Sequence, residues 1–194
     1  PMIHIPQVAT IIRTDDLTAD QKALLTALAL TTEQPMVTID GQPWGTSDAL
    51  GGGMTDVVLA PGYRYYVLYT ADDVQRIKTA GLSEAQAKLT SMFINQGGKL
   101  PAAGTPVSDV ETVLSVGEQF GDVTSAEGVQ ELARALGMDA ETLAATAKAA
   151  GIDEGATIYA VACCGYAYAT VGGLDVDADM RVLREDCTPI PNLF

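Results

Sequence analysis

A chain of 194 residues can bury one domain-sized core and is too short for two large domains. Its 11 Lys plus Arg stand against 25 Asp plus Glu, a formal net charge of −14; that excess repels nucleic-acid phosphates and anionic lipid headgroups, so neither is an expected partner. With 47% hydrophobic and 19% charged residues the composition excludes disorder, and no apolar run approaches the roughly 18 residues that cross a bilayer.

The first stretch, Met2 to Ile12, is rich in Ile, Val and Thr and interrupted by Pro6, which predicts an edge strand or extended lead-in. Thr18 caps a predicted helix running to Leu30, with Leu24, Leu25 and Leu28 on one face. Met36 to Ile39 followed by Asp40-Gly41 predicts a hairpin, and Trp44 to Gly53 a loop. Tyr65 to Thr70 reads as a strand, with helices expected near Asp72 to Ala80 and from Ser83 to about Ile94. Asn95 to Pro106 is a Gly/Pro loop, and Val110 to Val116 is a short apolar stretch.

Thr124-Ser125-Ala126-Glu127 matches a capping box and predicts the start of a helix carrying Val129, Leu132, Ala133 and Leu136 and stopping at Gly137. A second helix is expected from Asp139 to about Ala150, making a small αα-hairpin. The pattern then switches to strands at Ile158 to Cys163 and Tyr166 to Thr170, and at Leu174 to Val176 and Arg181 to Leu183 around a turn. This order, without regular βαβ alternation, predicts an α+β domain: a small mixed sheet with packed helices.

Few residues here carry chemistry of their own. There is no GxGxxG after a strand, no P-loop and no GxSxG. His4 is the only histidine and lies in a Pro-flanked segment, so a surface role is weighed against a catalytic one, and no spaced Cys/His set exists to hold a metal. Cys163 and Cys164 lie among small apolar residues and read as core packing, although a cysteine enzyme built on either is a rival reading. Asp175, Asp177 and Asp179 lack the glycine and distal glutamate of a calcium loop and read as turn residues. The seven tyrosines fall mainly in two strands, where most rings should pack. Tyr166 and Tyr168 stand out because Thr170-Val171-Gly172-Gly173 follows: two adjacent glycines either make a tight turn or let a flat ligand approach backbone N–H groups.

The helix around Val129 to Ala133, the runs Ile158 to Val161, Thr170 to Asp177 and Arg181 to Leu183, and the ending Pro189 to Phe194 stand in an order and spacing that resemble the C-terminal part of FAD-dependent oxidoreductases. The type is the fumarate reductase / succinate dehydrogenase flavoprotein, a superfamily that includes 3-ketosteroid dehydrogenases. Met36 to Trp44 looks like a degraded form of that family's "V-N-x-x-G-K-R-F". The resemblance implies a substrate-capping domain over residues 1–183 and, in 184–194, the start of a return toward an FAD-binding domain of the same parent chain. The cofactor would be FAD, held in the parent and not by this fragment alone, and Ile190 to Phe194 would leave an apolar docking face. The reaction implied is reduction or dehydrogenation of a C=C or CH–CH bond of a small-molecule substrate.

By the same resemblance Tyr168 and Tyr166 are the catalytic candidates, Thr170, Gly172, Gly173 and Asp48 would bind substrate, and Gly172 and Gly173 would also approach the cofactor. Departures matter equally. Ala169 stands where fumarate-reducing members carry His, and Thr46 to Gly53 holds no Arg where their acid lies, leaving Asp48 as the acid nearest that motif's Glu. Without cationic contacts a small dicarboxylate is not expected, and a less anionic, flatter substrate is. The alternative is a degenerate, non-catalytic small-molecule binding module.

Overall fold

A computed structural model describes residues 2–7, 15–31, 33–44, 64–89, 98–170 and 175–193; side chains of 2–7 and 164–170 lie outside that description. The five described strands are β1 (Met2–Gln7), β2 (Met36–Thr38), β3 (Arg64–Thr70), β4 (Val123–Glu127) and β5 (Thr157–Thr170). The helices are α1 (Ala19–Leu30), α2 (Ala71–Ala80), α3 (Glu84–Leu89), α4 (Val110–Gln119), α5 (Val129–Leu136) and α6 (Ala140–Ala149). The sheet runs β1-β5-β3-β2, and β4 also pairs with β5. The fold is α+β, as the element order predicts.

Two compact units make up the chain: residues 4–166, and residues 1–3 with 167–194. In the larger unit β5 is the central strand, antiparallel to β3 on one edge (Val67 opposite Val161) and to β4 on the other (Val123 opposite the same Val161). Alternation along β3 divides the core. Tyr65, Val67 and Tyr69 join Leu24, Leu25 and Leu28 of α1, Ile77 of α2 and Val113 and Leu114 of α4. Tyr66 and Leu68 face the opposite way, with Leu132 of α5, Leu143 of α6 and Ile158 and Ala160 of β5. A strand buried on both faces reads as an unbroken apolar run, which is how Tyr65 to Thr70 reads.

Several elements follow their local signals. Thr18 caps α1 through a full capping box with Gln21, and Thr70 does the same for α2 with Asp73. Both tyrosines on the α1 side reach that helix's last turn: the Tyr69 hydroxyl donates to the Leu28 carbonyl at 2.8 Å and that of Tyr65 to Ala29 at 3.3 Å. Those carbonyls lack intrahelical partners at a helix end, so the strand supplies the C-terminal cap that no glycine provides. Gly81 closes α2 at φ +83, and a Cβ there would lie 2.2 Å from the Thr105 carbonyl oxygen; both backbone angle and space require glycine.

The expected capping box at Thr124 to Glu127 is not one. These residues form β4, with Thr124 opposite Ala160 and Ala126 opposite Ile158. Helix α5 starts after Gly128 without a side-chain cap, because the backbone N–H groups of Gly128 and Val129 donate to the carbonyls of Ala156 and Glu154, both at 2.9 Å. Pairing along β5 satisfies a whole row of backbone groups, against one or two for a capping box, and so overrides the local signal. The helix body and its left-handed stop at Gly137 stand as expected. The two strands expected at Ile158 to Cys163 and Tyr166 to Thr170 are one continuous strand, β5. The apolar stretch at Val110 is helix α4, with Val110, Val113, Leu114 and Gly117 buried at helical spacing.

In the smaller unit Val176 and Val182 form an isolated bridge around the turn expected at Asp177 to Asp179. The Asp177 carboxylate accepts from the backbone N–H groups of Asp179 and Arg181, both at 3.0 Å, and from the Arg181 guanidinium at 2.7 Å. These bonds hold its carboxyl below the usual range, the Arg181 side chain contributing most. Turn chemistry accounts for this acid.

Candidate functional site

Tyr166, Tyr168 and Thr170 lie at alternate positions in the backbone of β5, with side chains outside the described residues. Gly172, Gly173 and Asp48, like Gly51 to Gly53, lie outside the described residues altogether. Cys163 is buried in the core, as its neighbours predict, and Cys187 is exposed. Tyr65 and Tyr69 are spent on packing and on the end of α1.

The described residues form a different concavity within the larger unit. A cleft of ≈ 940 Å³ opens between the end of β3, the start of α2, the turn at Glu33 to Pro35, Pro43-Trp44 and the carboxyl end of α6. Its geometry follows from the caps. Thr70 ends β3 and caps α2, which brings the Asp73 carboxylate back over the helix start, where it accepts from the Thr70 backbone N–H at 2.9 Å and hydroxyl at 2.7 Å. Gln34, only 8% exposed, donates its Nε2 to the same carboxylate at 3.3 Å, and Arg76 stands 3.5 Å from it. Glu33 accepts from the Ser83 hydroxyl. Across the cleft the Thr146 hydroxyl donates to the Gly41 carbonyl at 2.8 Å, tying α6 to the β2 turn. Met36, Leu68, Trp44 and Ile152 supply the apolar walls.

This cleft does not fit the pyrophosphate of FAD. A dinucleotide needs a glycine-rich turn and open N–H groups at a helix start, or cations. Here the start of α2 is filled by its own Thr70 and Asp73, two carboxylates line the walls, and no Lys or Arg is among the lining residues. Nor do the lining residues include a His, Cys or Tyr to act as nucleophile or base near neutral pH. Sequence reasoning missed the cleft because its residues come from four separated segments; the one local signal was Thr70-Ala71-Asp72-Asp73, a capping box whose acid also faces the cleft.

A family model described as "FAD binding domain" matches residues 29–194. The chain therefore belongs to this family of FAD-dependent flavoproteins, and FAD is the family's cofactor. No curated protein matches the sequence. Among solved structures, one described as the open conformation of a flavocytochrome c3 fumarate reductase is similar at 16% identity and a TM-score of 0.42, over 92% of this chain and 28% of that one. The chain thus spans less than a third of the length of that structure.

Proposed function

We propose that the chain is the substrate-capping part of an FAD-dependent oxidoreductase that acts on a C=C or CH–CH bond, with FAD held by other segments of the parent protein. One observation supports this reading: the family match extends over residues 29–194, yet the sequence has no GxGxxG. In this reading residues 1–183 are the cap and 184–194 begin the return to the FAD-binding part. Tyr168 and Tyr166 give or take the proton at the substrate carbon, Thr170, Gly172, Gly173 and Asp48 hold the substrate, and the Gly172-Gly173 backbone also approaches the cofactor. The redox chemistry belongs to the FAD that the parent holds. Lacking the family's His and Arg, with Ala169 and Gly51 to Gly53 in those regions, the site suits a substrate with less anionic charge than fumarate.

Immunoblotting of source-cell extract for this sequence, with in-gel flavin fluorescence, tests the reading. A band well above the roughly 100 to 200 residues of a single domain, comigrating with flavin, is expected; a band of this chain's size without flavin overturns it. In the flavin-bearing parent protein, Tyr166→Phe or Tyr168→Phe should lower turnover by about 100-fold, the worth of a general acid or base. Full activity in both variants removes the tyrosines from catalysis. The same departures at Ala169 and Gly51 to Gly53 favour a second reading, a non-catalytic binding module; a flavin-free parent that retains a small molecule would establish it.

A further inference from the structure

The cleft between β3, α2 and α6 has a lopsided inventory of polar groups. The Thr70 hydroxyl hydrogen goes to Asp73 and that of Thr146 to the Gly41 carbonyl. Gln34 spends its Nε2 on Asp73. Because that bond fixes the amide's orientation, its other end, Oε1, is an acceptor without a partner among the described residues, on a side chain more than nine-tenths buried that lines the cleft. Glu33 takes the Ser83 hydroxyl on Oε2 only, which leaves Oε1. Asp73 is engaged by Thr70, Gln34 and Arg76. Ala149, Ala150 and Gly151 place the carboxyl end of α6, the negative end of its dipole, on the same wall. Lys148 in that last turn and Arg76 on α2 are not among the lining residues.

The indole N–H of Trp44 is a donor without a partner among the described residues, but it is buried; what remains exposed to a ligand is acceptors and negative charge, beside the apolar surfaces of Met36, Leu68 and Ile152 and the indole face of Trp44. Carboxylate, carboxamide oxygen and helix carboxyl end each favour a bound N–H donor with positive charge, and an indole adds attraction for a cation close to its ring. The volume of ≈ 940 Å³ admits a body larger than a bare ion. We infer that this cleft is a binding site for an organic ammonium with an apolar body, its ammonium held by Gln34 Oε1 and Glu33 and its body against Leu68 and Trp44. The inference is independent of the flavin reading, because no residue proposed for catalysis lines the cleft.

Trp44 is the chain's only tryptophan, so its fluorescence reports on this cleft. The 194-residue chain is titrated at pH 7 with 2-phenylethylammonium and, separately, with 2-phenylethanol, which has the same apolar body without the charge. A saturable change in Trp44 emission is expected with the ammonium, at least about tenfold tighter than with the alcohol. Glu33→Gln and Gln34→Leu should each weaken the ammonium by about fivefold or more, with far-UV circular dichroism unchanged. Glu33 is an exposed side chain, so Glu33→Gln serves as the test even where Gln34→Leu does not fold. No saturable change up to about 10 mM, equal binding of alcohol and ammonium, or unaltered affinity in Glu33→Gln would each overturn the inference.

Discussion

Tyr69 shows how one side chain joins two elements. Its ring is 1% exposed in the core, and its hydroxyl closes the last turn of α1 on the Leu28 carbonyl. Tyr69→Phe should cost about 1–2 kcal/mol, since the buried carbonyl loses its donor, and urea unfolding measures it. Burial, with the Asp73 carboxylate second, raises the phenol well above its ordinary value of 10.0. The sign follows: the native state keeps the proton where the unfolded chain releases it. Stability from this group is complete below pH 10 and declines as pH rises toward the native value. Alkaline unfolding of Tyr69→Phe should accordingly show a shallower fall with pH than the parent chain, and identical slopes would refute the assignment. That tyrosines pack was readable from their alternation in Tyr65 to Tyr69; that two of them cap a helix some 40 positions earlier was not, because nothing local records which carbonyl a hydroxyl will meet.

At the scale of elements, local chemistry was most legible where a cap has no competitor. Thr18 before α1 and Gly137 after α5 behave as their sequence predicts. Thr18→Ala should destabilise by about 1 kcal/mol through loss of the bond to the Gln21 amide. Thr124 to Glu127 has the same outward pattern and becomes a strand, because β5 offers an edge that the sequence alone does not reveal. Val110 to Val116 reads in the sequence only as a short apolar stretch; in the structure Gly117 lets α4 approach β4, where a Cβ would lie 2.6 Å from Val123 Cγ2. Gly81→Ala combines a left-handed backbone with a collision against Thr105 and should cost about 2 kcal/mol or more. Thermal unfolding of this variant beside Thr18→Ala ranks the two, with Gly81→Ala the less stable. The catalytic candidates rest on the glycines that follow Tyr166 and Tyr168 and on motif resemblance, whereas the cleft arises from residues that converge in space and share no motif.

For the molecule as a whole, the decisive contacts are long-range. The α+β class was legible from element order alone, since strands and helices do not alternate regularly. The strand order was not, because β5 serves three partners, β1, β3 and β4, all separated from it in the chain. β3 pairs with β5 about 90 positions later, Val67 against Val161. During synthesis at about 5–20 residues per second, the apolar ribbon from Tyr65 to Tyr69 therefore waits on the order of 5–20 s for the strand that will flank it. α1 and α2 can shelter one of its faces meanwhile; its hydrogen-bonding edge and the face bearing Tyr66 and Leu68 stay open until the last helices and β5 emerge. The nascent chain is thus most exposed to mispairing just before its central strand is made, and holding chaperones should engage it in that interval.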